Sequence, residues 1–138
     1  MARILAIDYG LKRTGLAVTD PLQIIATGLA TVESRQLMPY LKNYFTTEQV
    51  ELVIIGDPRN WDDTATHATP LVEKFLKEFT KAYPAMPVKK VDERFTSKMA
   101  KSAMLEMGLK KMQRRNKALV DEIAATIMLQ EYMNSAGR

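Results

Sequence analysis

The chain has 138 residues, 46% hydrophobic and 26% charged, with no cysteine. A chain of this length buries about two-thirds of the surface it would expose unfolded, and the lack of cysteine excludes disulfides, thiolate zinc sites and a cysteine nucleophile. The net charge of +4 is uneven: Lys89 to Lys117 holds ten Lys/Arg against three acids, a local +7 that leaves −3 for the rest, which suits either a polyanionic partner or a solvated helical face.

Met1-Ala2-Arg3 leads straight into the apolar run Ile4 to Ile7, too short for a secretory core, and no stretch approaches membrane-spanning length. A cytoplasmic protein with no membrane partner is therefore expected. Arg3 to Tyr9 reads as a buried strand closing on Asp8, and Gly10 to Arg13 as a turn. Thr14 to Thr19 follows as a second strand, ended by Asp20-Pro21, and Ile24 to Val32 as a third, interrupted by Gly28. Turns this short imply antiparallel hairpins. Ser34 looks like the N-cap of a helix carrying Leu37, Leu41, Tyr44 and Phe45, although Pro39 falls in its first turns. Val50 to Gly56 is a continuous apolar run, as a buried parallel strand requires. A polar loop from Arg59 to Thr69 precedes a helix from Thr69 to Ala82, and Val88 to Val91 is a short fifth strand. Ser97 caps a further helix ended by Gly108, Lys110 to Asn116 is basic and irregular, and a last helix spans Lys117 to Asn134.

The order is βββαβαβαα. It predicts one α/β domain over 1–138 with a mixed five-stranded sheet and helices on both faces, in which the first, fourth and fifth strands are parallel neighbours. Their carboxyl ends then share the edge where α/β sheets tend to place sites.

Three acids abut apolar sequence near that edge: Asp8 at the end of the first strand, Glu93 just past the fifth, and Asp121 in the first turns of the last helix. Ala124 and Ala125 allow that helix to approach the sheet closely, and Asp121 lies about one turn before them. Glu122, one position round, is expected to point elsewhere as a dipole partner. Converging carboxylates repel unless cations intervene, and hard oxygen donors favour Mg2+ or Mn2+. Two such ions roughly 3.5–4 Å apart activate water and stabilise the leaving oxygen of a phosphodiester. Each acid alone has an ordinary reading: a turn aspartate for Asp8, a partner of Arg94 or Lys90 for Glu93, and an N-terminal helix acid for Asp121. Asp57, before Pro58, is read as a turn acid ahead of a fourth metal-facing carboxylate. His67, alone in a polar loop, is read as solvated.

Four segments in order resemble the YqgF/RuvX family of Holliday junction resolvases and pre-16S ribosomal RNA nucleases. They are Ala6-Ile7-Asp8-Tyr9-Gly10-Leu11-Lys12-Arg13-Thr14-Gly15-Leu16-Ala17-Val18-Thr19-Asp20, Val53-Ile54-Ile55-Gly56-Asp57-Pro58-Arg59-Asn60, Val91-Asp92-Glu93-Arg94-Phe95-Thr96-Ser97 and Val120-Asp121-Glu122-Ile123-Ala124-Ala125-Thr126-Ile127-Met128-Leu129-Gln130. The resemblance covers essentially the whole chain. It implies a ribonuclease H-like fold, metal-binding catalytic acids at Asp8, Glu93 and Asp121, and a cytoplasmic nuclease trimming the 5′ end of precursor small-subunit ribosomal RNA. Asp57 stands where the family often has an apolar residue.

Cations accompany each acid in sequence. Lys12 and Arg13 follow Asp8, Arg94 follows Glu93, and Lys110, Lys111, Arg114, Arg115 and Lys117 lead into the helix of Asp121. They suit phosphate positioning on nucleic acid, with structured RNA or branched DNA as partner. Trp61 suits either base stacking or packing on its own domain or a second subunit. Three alternatives remain: a four-way DNA resolvase at the same site, an actin-like phosphate binder, and an RNA-binding ribosome-assembly factor that does not cut. A phosphate binder of that kind needs a second similar domain, which one copy of the Asp8-Tyr9-Gly10 motif in 138 residues argues against.

Overall fold

The computed structural model describes residues 2–57, 69–92 and 117–135, with side chains except at Asp92 and 117–120. Five strands form one sheet: β1 (Arg3–Tyr9), β2 (Arg13–Thr19), β3 (Ala26–Glu33), β4 (Val50–Asp57) and β5 (Val88–Asp92). Their order is β3-β2-β1-β4-β5. The first three strands pair antiparallel, and β4 joins β1, and β5 joins β4, in parallel. This is the expected mixed sheet. Ile4 to Ile7 of β1 are all buried, because helices cover both sides of this central strand.

On one face lie α1 (Leu37–Thr47) and α2 (Thr69–Ala82), packed over Leu5, Ile7, Leu16, Val18, Val53 and Ile55. Tyr9 stacks on Phe75 of α2 with ring centroids 4.9 Å apart, which ties α2 to the carboxyl end of β1. Burial, with Glu78 adding to it, holds the Tyr9 phenol above its ordinary value. On the other face, among the described residues, the helix α3 (Lys117–Ser135) packs Ala125, Met128, Leu129 and Met133 against Ile4, Ala6, Ala17 and Ile54. The expected helix from Ser97 to Gly108 lies outside the described residues, as do Trp61 and His67.

Two local departures have clear causes. The third strand begins at Ala26 rather than Ile24. Asp20 Oδ1 accepts the backbone N–H groups of Ile24 and Ile25, both at 2.7 Å, so these amides serve the loop instead of the ladder, and both side chains are exposed. Ser34 begins a 3-10 turn (Ser34–Gln36) ahead of α1 and makes no capping bond. Pro39 is tolerated as the third residue of α1, where its missing N–H would have no partner within the helix.

Ser34 instead serves the turn after Asp8. Its hydroxyl donates to Gly10 O and so accepts from the Thr14 hydroxyl at 2.9 Å, while its backbone N–H donates to Lys12 O at 2.9 Å. Both hydroxyl-bearing residues are buried. These bonds pin the β1–β2 turn that carries Lys12 and leads into Arg13. Replacing Ser34 by Ala removes both hydroxyl bonds and strands Thr14, so unfolding free energy should fall by about 1–3 kcal/mol, read from urea denaturation. An unchanged midpoint would mean the turn is held by other contacts.

Candidate active site

Asp8 and Asp121 are set on one face of the sheet by backbone packing. In the β1–β2 ladder Asp8 is the cross-strand partner of Gly15, and directly opposed residues face the same side. Gly15 in turn lies under the start of α3: a methyl group built there would sit 2.5 Å from the carbonyl carbon of Asp121 and 3.1 Å from the backbone N of Glu122. The two acids therefore share the α3 face at the carboxyl end of β1. Ala6, Ala17, Ala124 and Ala125 continue this seam of small buried residues, which lets the helix lie close.

Glu122 points elsewhere than Asp121, and does so onto the sheet. Its side chain lies over Gly28 of β3, where an added methyl would come 2.8 Å from Cγ. Asp57 closes β4 on the side shared by Val53 and Ile55, which is the α1/α2 face. Strand alternation thus sets it opposite Asp8. Glu93 follows β5 by one residue and lies outside the described residues. Among the described residues no three acids or histidines stand close enough together to hold a metal ion.

The cations gather beside the acids. Arg13 Nε donates to Asp121 Oδ2 at 3.1 Å, with both side chains partly exposed. Leu11, Lys12, Arg13, Glu33 and Arg35 line an open cavity of about 520 Å³, in which three cations face one acid. Arg35 was not among the sequence candidates. The signal that could have found it is the β2–β3 hairpin: the end of β3 must return beside the start of β2, and Arg13 pairs with Glu33. Of the other cationic candidates, Arg94, Lys110, Lys111, Arg114 and Arg115 lie outside the described residues, as does the side chain of Lys117.

A family model described as RuvX, Holliday junction resolvase, matches residues 2–135. The chain belongs to the RuvX family. Relatives at this level include a protein of Christiangramia forsetii, 56% identical over 96% of this chain and 98% of its own. One of Bacteroides fragilis is 52% identical over 98% of each. Both carry the provisional name pre-16S rRNA nuclease. The fold resembles that of Thermus thermophilus RuvC bound to a Holliday junction substrate (TM-score 0.57, 17% identity, 98% of this chain and 96% of that one). It also resembles the fowlpox virus resolvase bound to Holliday junction DNA (TM-score 0.55, 16% identity, 99% of each). The ribonuclease H-like architecture expected from the sequence is thereby shown for this RuvX-family chain.

The seat of Asp121 generates a paired expectation. At Gly15 a methyl meets helix backbone, which cannot yield without moving α3; at Gly28 it meets a flexible carboxylate side chain. Gly15→Ala should cost about 1–3 kcal/mol and abolish cleavage, whereas Gly28→Ala should cost less and leave cleavage measurable. Thermal melts and nuclease assays on both variants check this. Equal effects would show that α3 does not depend on Gly15 for its position.

Proposed function

We propose that this protein is a metal-dependent nuclease that hydrolyses phosphodiester bonds in processing the 5′ end of precursor 16S ribosomal RNA in the cytoplasm, acting as one domain. The observation that supports it is that Gly15, the ladder partner of Asp8, lies against the backbone of Asp121, so that both acids belong to one face at the sheet edge. Glu93, directly after β5 in sequence, is the third carboxylate of the proposal.

The donor set fits a divalent cation. Carboxylate oxygens are hard ligands of the kind Mg2+ and Mn2+ take, and acids gathered at a partly desolvated edge are costly without a cation. Two ions held by Asp8, Glu93 and Asp121 would supply an activated water and charge stabilisation at the phosphate. The chain's own residues do the rest. Asp8 is fixed by the β1–β2 ladder and Asp121 by the close seat of α3, so neither carboxylate must be ordered when substrate arrives. Lys12 and Arg35, the latter ion-paired to Glu33 at 2.8 Å, line the cleft that Arg13 also borders and would hold backbone phosphates, which gives affinity without reading sequence. The basic segment from Lys110 to Lys117 would extend that contact along the nucleic acid.

Cleavage of four-way DNA is the second reading, favoured by the family's description and by the likeness of this fold to junction resolvases. One experiment orders the readings: wild type, Asp8→Asn and Asp121→Asn assayed on a precursor ribosomal RNA and on a four-way junction, with Mg2+ or Mn2+. Wild type should cut the RNA faster. Each variant should lose more than the roughly 10- to 100-fold typical of substitutions behind a metal ligand, while retaining RNA binding. Undiminished cutting by Asp8→Asn would remove the site, and preferential junction cutting would reverse the substrate assignment.

A further inference from the structure

Arg13 belongs to two places at once. As the first residue of β2 it lies on the α3 face, where its Nε meets Asp121 Oδ2. It also lines the cationic cavity with Lys12 and Arg35. A guanidinium 3.1 Å from a carboxylate oxygen competes electrostatically with any cation seeking that oxygen. The same group has donors suited to a phosphate entering the cleft.

We propose that Arg13 is a latch between substrate and metal: it holds Asp121 Oδ2 while the cleft is empty, and a nucleic-acid phosphate draws it away and opens that oxygen to a divalent cation. The proposal rests on the reading of Asp8 and Asp121 as metal ligands. Packing seats Asp121 whether or not the pair forms, because Ala125, Met128, Leu129 and Met133 bury the helix independently. The pair itself is partly exposed, and pairs of that kind hold weakly enough to exchange. A latch of this kind makes metal and nucleic acid favour one another, and the coupling must be reciprocal. Arg13 is thus a positioning residue, acting through Asp121, with a second use as a phosphate ligand.

The first test measures Mn2+ affinity in the absence of nucleic acid, by electron paramagnetic resonance of the free ion. Arg13→Ala and Arg13→Gln should each bind Mn2+ about two- to fivefold more tightly than wild type, the range a partly exposed ion pair can hold back. Lys12→Ala, which loses the same charge one residue away, should shift it less. The second test is a double-mutant cycle on affinity for a short RNA in EDTA, where nothing is cut. Asp121→Asn should tighten RNA binding in the wild-type background and do so much less in the Arg13→Gln background. Mn2+ binding that Asp8→Asn abolishes, but that both Arg13 variants leave unchanged or weaken, overturns the latch alone. Additive effects in the cycle overturn it as well. Mn2+ binding indifferent to Asp8→Asn overturns the metal site and the latch together.

Discussion

The seat of α3 on the sheet governs the rest of the molecule. A helix normally stands well off a sheet because side chains separate their backbones. Here glycine or alanine occupies the contact positions at Gly15, Ala17, Gly28, Ala6, Ala124 and Ala125, and the backbone of Asp121 comes directly onto β2. Two residues 113 positions apart in the sequence, Asp8 and Asp121, come to one face of the sheet because Gly15 is the ladder partner of the first and lies against the backbone of the second. Magnitudes support this order of causes. Met128, Leu129 and Met133 are at most 5% exposed, and each contributes roughly 1.5–3 kcal/mol on burial. The partly exposed ion pair between Arg13 and Asp121 contributes about 0–1 kcal/mol. Hydrophobic packing positions the acid, and the arginine only modulates it.

The proposed chemistry follows from the charges that geometry gathers, Arg13 paired with Asp121 and Arg35 with Glu33. Carboxylates at the carboxyl edge are flanked by a cleft in which Lys12, Arg13 and Arg35 face Glu33 alone among its lining residues. In the proposed function such an edge would take both a cation and a polyanion, and a phosphodiester held by divalent ions would supply both. Pinning of the β1–β2 turn by Ser34 carries the same logic one step outward. The turn that presents Lys12 to the cleft is anchored by a buried hydroxyl pair rather than left to fluctuate. The side of the sheet covered by α1 and α2, by contrast, is an apolar and aromatic core with Tyr9 as its nearest member to the site.

Much of this was legible in the amino-acid order. Strand type and pairing followed from short turns and continuous apolar runs, and the arrangement of β1, β4 and β5 followed from the intervening helix. The alanines before Ile127 announced a close helix, and Asp121 a turn earlier could be placed on the correct side. Side chains that serve non-local partners were harder to read. Ser34 has the residue type of a cap, yet Gly10 and Thr14, both more than fifteen positions back in the chain, claim its hydroxyl. Ile24 and Ile25 have strand propensity, but the carboxylate of Asp20 takes their amides first. Glu122 was expected only to point elsewhere than Asp121; its place over β3 was not legible, because local helical geometry says nothing of the glycine there that makes room for it. Arg35 went unnoticed because its nearness to Arg13 depends on hairpin register.

The central claim is that Asp8 and Asp121 share a divalent cation. It is met most directly by a crystal grown with Mn2+ and recorded at a wavelength where manganese scatters anomalously. The account predicts an anomalous peak bonded to a carboxylate oxygen of each residue, at about 2.1 Å, the bond length of octahedral magnesium-type coordination. A fully loaded, cleavage-competent crystal whose manganese lies elsewhere, with neither carboxylate in its coordination sphere, would contradict it.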